Sequence, residues 1–420
     1  MTQTSRPALP AGIHELALGE DRLRDVLELD AWAFANSHTI DALAELPNPL
    51  PWDRTRGLSP DGHQLVAMHS SYRFSSTPVP GGRLDLSGLT WVGVHPQWRR
   101  RGLLRAMIAA HFANSLARRE PISVLFAAEP AIYGRFGYGL AARAASLTVA
   151  RGAQLRPLDT EGLEIRIETL DFDRHNDLVV ALHSGVDRPG WVTRRTEGQQ
   201  RAWLSNSPAF TEGRELQRIL VAERAGTPVG YSIFRRKPVW TDGGYPDYEV
   251  QVLETVAPEP AVAHLIWSRL LDLDLTTKVR SGMLPIDDPL FSLLVDVRVT
   301  DPTWSDQLWL RLLDVPTALA GRQYQAPVDA VIELTDADLP DNAGRWLLQA
   351  EPFAQARVSR TDRSPDLRMD VRELGAAYLG GTSLSELAGA GLVEGLTPTS
   401  LARASAAFGW PQAPMASWIF

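Results

Sequence analysis

Between Thr90 and Arg105 the chain reads TWVGVHPQWRRRGLLR, and no other stretch limits the possible folds as much. Leu89, Trp91, Val92 and Val94 form a short apolar run that Pro96 stops, which predicts a strand. Beyond it Leu103, Met107, Ala110, Ala113 and Ala117 recur at helical spacing, with Leu104 and Ile108 widening the stripe. The turn from strand to helix therefore falls on Arg99, Arg100, Arg101 and Gly102. The first N–H groups of a helix have no partner inside it and carry the positive end of its dipole, so arginines at a helix start make an anion site with phosphate as the natural guest. Taken alone, the same residues also fit an ordinary junction with solvated arginines.

The rest of the chain narrows the choice by exclusion. Its 420 residues suggest two to four domains, and 44% hydrophobic with 22% charged residues is the balance of a soluble globular protein. No apolar run approaches the ~18 residues that span a membrane, and MTQTSRPALPAGIHELALGED has no basic region followed by a long apolar core. The expected location is the cytoplasm. The absence of cysteine excludes disulfides, thiolate zinc sites and a cysteine nucleophile. A net charge of −8 argues against nucleic-acid binding and suits a polycationic substrate. The histidines, among them His38, His69, His95 and His111, show no metal spacing, and no G-x-S-x-G occurs; no metal is expected.

Leu23 to Phe34 reads as a first helix packed on a sheet. ELPNPLPWDRTRG follows as a loop, and Trp32, Phe34 and Trp52 are candidates to line an apolar substrate pocket, with core packing as the alternative for each. Val66 to Phe74 and Leu84 to Val94 read as strands joined by the turn PVPGG. After the arginine-led helix, Ile122 to Ala127 is a buried strand and EPAIYGRFGYGLA interleaves Gly134, Gly137 and Gly139 with Tyr133, Phe136 and Tyr138. The glycines permit close backbone approach or positive φ, and the tyrosines either present hydroxyls to a reactive group or staple the loop.

The turn resembles the coenzyme motif of the GNAT N-acetyltransferases, V-x-V-x-P followed by [R/Q]-x-x-G-x-[G/A], with Leu104 in place of the usual small last residue. HPQWRRRGLLRAM together with IYGRFGYG resembles the Eis (enhanced intracellular survival) family over the whole chain. The resemblance implies an α/β and α+β architecture: an N-terminal GNAT domain over residues 1–155, a central GNAT-like domain without a coenzyme motif over 156–320, and a sterol-carrier-protein-like domain over 321–420. It implies acetyl-CoA as cosubstrate, with Val92, Gly93 and Val94 pairing the pantetheine arm. Arg99, Arg100, Arg101, Gly102, Leu103, Leu104 and Arg105 would take the pyrophosphate, and Ala128 and Glu129 would flank it. Tyr133 takes the place of the family's general acid and the C-terminal carboxylate of Phe420 that of its base. The implied acceptors are primary amines of aminoglycoside antibiotics, and the implied assembly is a homo-hexamer. Ile419 stands where aminoglycoside-acetylating relatives can carry an acidic residue.

The middle of the chain agrees with a duplication. GTPVGYSIFRR and DYEVQVLETVAP read as strands and Ala261 to Leu275 as a helix, with prolines and a glutamate in place of the arginine–glycine cradle. In the last part VDAVIELTD and DLRMDV are strands, Val371 to Tyr378, Thr382 to Ala390 and Thr399 to Phe408 are helices, and a filled core is expected rather than a lipid cavity. The chain ends on Trp418, Ile419 and Phe420, too apolar to fray, so something should hold it. A protein-lysine or polyamine acetyltransferase is a variant of the same enzyme reading, and against it stands a non-catalytic acyl-CoA or lipid sensor working through its last domain. Tyr133 and the terminal Phe420 favour the enzyme.

Overall fold

The computed structural model describes residues 9–35, 38–193, 196–207, 211 and 213–420. The chain divides into two compact units, residues 1–142, 188–202 and 307–420 in one and residues 143–187 and 203–306 in the other. It opens with β1 (His14–Ala17), α1 (Leu23–Phe34), α2 (Ile40–Ala44) and β2 (Arg56–Ser59). The long pair β3 (Ala67–Val79) and β4 (Gly82–Val94) follows, then α3 (Leu103–Ala117), β5 (Ile122–Leu125) and the one-turn α4 (Pro130–Tyr133). Next come β6 (Gly139–Ala150), β7 (Leu163–Thr169), α5 (Phe172–Ser184), α6 (Glu197–Trp203), β8 (Arg218–Arg224), β9 (Thr227–Lys237) and β10 (Tyr248–Val256). They are followed by α7 (Pro260–Leu271), β11 (Thr276–Pro285), α8 (Pro289–Leu293), β12 (Thr303–Leu312) and α9 (Val315–Ala320). The chain finishes with β13 (Val328–Thr335), β14 (Gly344–Ala350), β15 (Arg357–Arg360), β16 (Leu367–Asp370), α10 (Val371–Ala377), α11 (Leu384–Gly389), β17 (Val393–Gly395) and α12 (Pro398–Phe408).

In the first unit the strand order is β1-β2-β3-β4-β5-β12, antiparallel except for the parallel pair β4–β5. Leu89, Leu103, Met107, Ile108, Phe112 and Leu125 are buried where α3 meets this sheet. Each such side chain removed from water contributes about 1.5–3 kcal/mol. The sheet is not uniformly zipped. Among the described residues β4 pairs with β5 only from Leu86 to Gly88, yet it runs on to Val94 against β3. Its register slips between Thr90 and Gly93, opposite Met68 to Ser70, and Trp91 takes φ 51° there. A bulge of this kind bends and twists its strand, and here it turns β4 away from β5 to leave a fork.

The loop ahead of β2 is pinned from inside. Arg54 is buried and donates to both oxygens of buried Glu120 at 2.7 Å, and also to Ser71 and Ser87 at 3.0 and 3.1 Å. A buried charge persists only when paired and hydrogen-bonded in this way.

In the second unit the order is β6-β11-β10-β9-β8-β7, with α7 burying Val262, Ile266, Trp267, Leu270 and Leu271 against it. The helix stops at Leu271, short of the Leu275 expected from its apolar pattern, because Leu275 takes φ 64° and turns the chain into β11. Its start carries Glu259 and Pro260, and Arg224 pairs with Glu259 at 2.7 Å, so no positive cradle recurs.

The last 100 or so residues form a second sheet of the first unit, in the order β15-β14-β13-β16-β17. Buried Arg322 lies 4.7 Å from the centroid of Tyr324 and 4.9 Å from that of Phe408, and donates to the Tyr378 and Phe408 carbonyls. Those carbonyls and ring faces stand in for a counter-ion. A groove of about 540 Å³ beside α12 is lined by Asp329, Asp366, Thr397, Ser400 and Arg403 together with Pro327, Val328 and alanines, a wall of mixed polar and apolar character.

Candidate active site

The fork in the first sheet opens into a cleft of about 530 Å³, within the size range of ligand sites. Val92, Gly93 and Val94 line it from β4, Arg99, Arg100 and Gly102 from the turn, and Leu103, Leu104 and Arg105 from α3. Ala128, Glu129, Ile132, Tyr133, Arg135 and Phe136 line it from the segment after β5, and Ala33 and Phe34 from the end of α1. Ala33 reaches this position because β4 has no side chain at Gly93, where a Cβ would start 3.3 Å from the Ala33 Cβ.

The turn is built to meet an anion. Gly102 caps α3 at φ 81°, in the left-handed region that glycine enters without strain, and no side chain caps the helix. The first N–H groups of α3 therefore point out unclaimed by any side chain. Among the described residues Arg99 and Arg100 have no carboxylate partner, and both are exposed on the cleft. Arg101 turns aside, its guanidinium 4.6 Å from the centroid of Trp98, and does not line the cleft. Arg105 lies 3.5 Å from Asp338. This donor set fits a pyrophosphate.

Tyr133 ends α4 on the opposite wall. Burial, and to a lesser degree the Glu129 carboxylate, push its phenol up to about 12, so it is protonated at neutral pH. Its ring stands edge-on to Tyr138 at 5.9 Å. The Tyr138 hydroxyl shares a 2.7 Å hydrogen bond with Ser123 Oγ, which in turn lies 2.7 Å from His111 Nε2. Burial, with His69 and Arg54 adding to it, drives His111 far below its usual range, so the imidazole is neutral. Gly139 lies just past this loop against α10, where a Cβ would collide with the Arg372 carbonyl and the Ala376 N–H. At that position glycine serves the approach of two backbones rather than a ligand.

The end of the chain is held residue by residue. Arg188 donates to the Ala413 carbonyl at 2.6 Å, the Met415 N–H donates to the Pro189 carbonyl at 2.9 Å, and the Gln307 amide bonds both backbone groups of Ala416 at 2.9 and 3.0 Å. Ser417 donates to the Val192 carbonyl. Trp418 is buried, and the Phe420 ring packs 4.7 Å from Phe74, 5.2 Å from Phe126 and 6.3 Å from Tyr72, at the base of the fork. Of the other expected residues, Phe34 is half exposed on the cleft, Trp32 is 63% exposed and edge-on to His95 at 5.1 Å, and Trp52 packs with Leu18, Val26 and Leu29 beneath α1.

No motif marks Arg311, and the spacing around His111 gives no sign of its buried partners. Asp30 has no motif around it, and only the folded chain shows that burial pushes its carboxyl up to about 6. Among the described residues no group of three or more His, Asp or Glu side chains is placed to hold a metal ion, and no helix is long and apolar enough to cross a membrane.

Comparison with known proteins agrees with this layout. Residues 17–141 and 190–312 each match a family described as acetyltransferase (GNAT) domain, and residues 315–417 match a sterol carrier protein domain. An uncharacterized N-acetyltransferase of Streptomyces avermitilis is 37% identical over 366 residues, 86% of this chain and 88% of that protein. The N-acetyltransferase Eis of Mycobacterium tuberculosis is 32% identical over 362 residues, 83% of this chain and 84% of its own length. The crystal structure of Eis1 from Mycobacterium abscessus superposes with a TM-score of 0.80 at 29% identity, covering 97% of this chain and all of that one. GNAT acetyltransferases take their acetyl group from acetyl-CoA. The chain is a GNAT N-acetyltransferase with a sterol-carrier-like third domain, and it belongs to the Eis family.

Proposed function

We propose that this chain acetylates primary amines of aminoglycoside antibiotics, at several positions, by direct attack of the amine on bound acetyl-CoA. One observation carries the reading: a protonated phenol, Tyr133, faces the same cleft as the unpaired arginines at the start of α3. The open edge Val92–Val94 would pair the pantetheine arm. The N–H groups after Gly102, with Arg99 and Arg100, would hold the pyrophosphate, Arg101 and Arg105 adding positive charge beside it and Ala128 and Glu129 flanking it. Phe34 and Trp32 would rim the acceptor side, with Trp52 supporting α1 from below.

In the transfer step the C–N bond forms as the C–S bond breaks. Tyr133 gives its proton to the departing sulfur, and the Phe420 carboxylate takes one from the ammonium that forms. Solvent exchange then restores both groups. Ile419, 61% exposed where an acidic residue would attract a polycation, favours as a second reading a single-ammonium acceptor such as a protein lysine. The division at residues 155 and 320, the homo-hexamer and a cytoplasmic site of action belong to the same proposal, and light scattering on the purified protein tests the assembly.

Tyr133→Phe tests the chemistry. The variant keeps the fold and coenzyme A affinity by calorimetry, while kcat falls by the ~10²–10⁴ typical of acid–base groups. Full activity would move the acid role elsewhere.

A further inference from the structure

Behind the cleft lies a second polar construction that the transfer step does not use. Arg311 on β12 and Asp336, just after β13, are both buried, with side chains 0% and 1% exposed. Arg311 Nη2 donates to the two Asp336 oxygens at 2.6 and 2.7 Å, Nη1 donates to the Leu312 carbonyl at 2.8 Å, and Nε donates to the Phe136 carbonyl at 2.9 Å. The guanidinium lies 5.4 Å from the centroid of Phe112 on α3. Asp336 is equally saturated, accepting from Asn342 Nδ2 at 3.0 Å and from the N–H groups of Asp338 and Leu339 at 3.2 and 3.0 Å.

These bonds converge on the loop that carries Tyr133. The Tyr138 N–H returns to the Tyr133 carbonyl at 3.3 Å and the Gly137 N–H to the Gly134 carbonyl at 3.2 Å, so Phe136 is the apex of a closed turn whose first residue is Tyr133. A side chain at Gly137 would begin 2.7 Å from Arg311 Nε and 3.0 Å from Val371 Cγ1, so the backbone of the turn packs directly on the guanidinium. Leu339 packs in one apolar cluster with Phe136, Tyr138 and Tyr133. Asp338 reaches Arg105 of the coenzyme cradle at 3.5 Å, and Arg105 lies 5.8 Å from the Phe136 ring centroid. Stability does not require charge here, since well-packed apolar residues of the same volume serve a core as well or better. What the fork of Arg311 supplies is direction, because a planar guanidinium holds a carbonyl and a carboxylate at fixed angles.

We propose that Arg311 and Asp336 form a positioning device for acyl transfer, by which the third domain fixes the Tyr133–Gly137 loop and so the aim of the Tyr133 phenol. Neither residue lines the cleft. The proposal rests on Tyr133 being the acid, and its test separates the two.

Arg311→Ala would leave Asp336 as an unpaired buried charge and risks unfolding. The informative variant is the full-length double replacement Arg311→Met with Asp336→Leu, alone and combined with Tyr133→Phe. It is assayed with acetyl-CoA and the acceptor that the wild-type protein turns over fastest among aminoglycosides, polyamines and lysine peptides. The expected result is a folded protein by circular dichroism, with coenzyme A affinity and the KM for acetyl-CoA within about threefold of wild type, and kcat lowered about ten- to a hundredfold by misplacement of the acid. In the Tyr133→Phe background the same replacement should change kcat less than about twofold, because the group being aimed is gone. A folded double variant with wild-type kcat, or an equal loss with and without the Tyr133 hydroxyl, overturns the proposal. Full activity of Tyr133→Phe by itself is a different result, which overturns the acid assignment.

Discussion

Asp30 and Tyr133 show how one physical term, removal from water, gives two side chains opposite uses. Burial raises the Tyr133 phenol to about 12, which keeps its proton in place at neutral pH. The same burial pushes the Asp30 carboxyl up to about 6, and there it opposes the charged form that neutral pH imposes. A carboxyl raised in the folded state binds its proton more tightly there than in the unfolded chain. Its stabilising effect is therefore complete below the unfolded value near 4 and is lost as pH rises through about 6. Asp30→Asn should accordingly raise stability at pH 7 by on the order of 1 kcal/mol, allowing for partial exposure, and leave it unchanged near pH 4. Thermal unfolding at the two pH values checks this, and an equal shift at both would show that the carboxyl's charge is not responsible.

At the level of elements, the strand–turn–helix from β4 to α3 works because the bulge at Trp91 and the cap at Gly102 are both left-handed, at φ 51° and 81°. Arg100 between them is left-handed too, at φ 62°. An arginine pays for that conformation where a glycine does not. Arg100→Gly should thus hold or raise stability by up to ~1 kcal/mol while weakening coenzyme A binding roughly tenfold or more, as expected for a lost charge-assisted contact. Gly102→Asp should abolish measurable coenzyme binding, since it strains the cap and sets a negative charge at the proposed anion site. Calorimetry with coenzyme A, paired with thermal unfolding, decides both. Unchanged affinity in Arg100→Gly would remove that side chain from the cradle.

Across the whole molecule, the end of the chain is the part that local reasoning could least locate. Residues 413–417 are bonded to Pro189, Val192, Gln307 and Arg188, so the tail is threaded past segments more than 100 positions away before the Phe420 ring reaches Phe74 and Phe126. Extending the chain by a few glycines and serines after Phe420 removes the α-carboxylate from its place without touching these anchors. The expected outcome is a folded protein with unchanged coenzyme A affinity and at least a tenfold loss of kcat, and native turnover would show that the terminal carboxylate is not the base. Helix α1, the β3–β4 hairpin, α3 and the helices of the third domain could be read from the sequence because apolar spacing, Gly102 and the PVPGG turn are local signals. The arginine cradle and Tyr133 were legible for the same reason, each lying within a few residues of its motif. Asp30, the Arg54–Glu120 and Arg311–Asp336 pairs and the neutral His111 were not, because burial and pairing between residues up to 66 positions apart are properties of the folded core. The sequence by itself determined which elements form and which chemistry they carry. Tertiary structure alone decided which charges lose their water, and hence which side chains can hold or give up a proton.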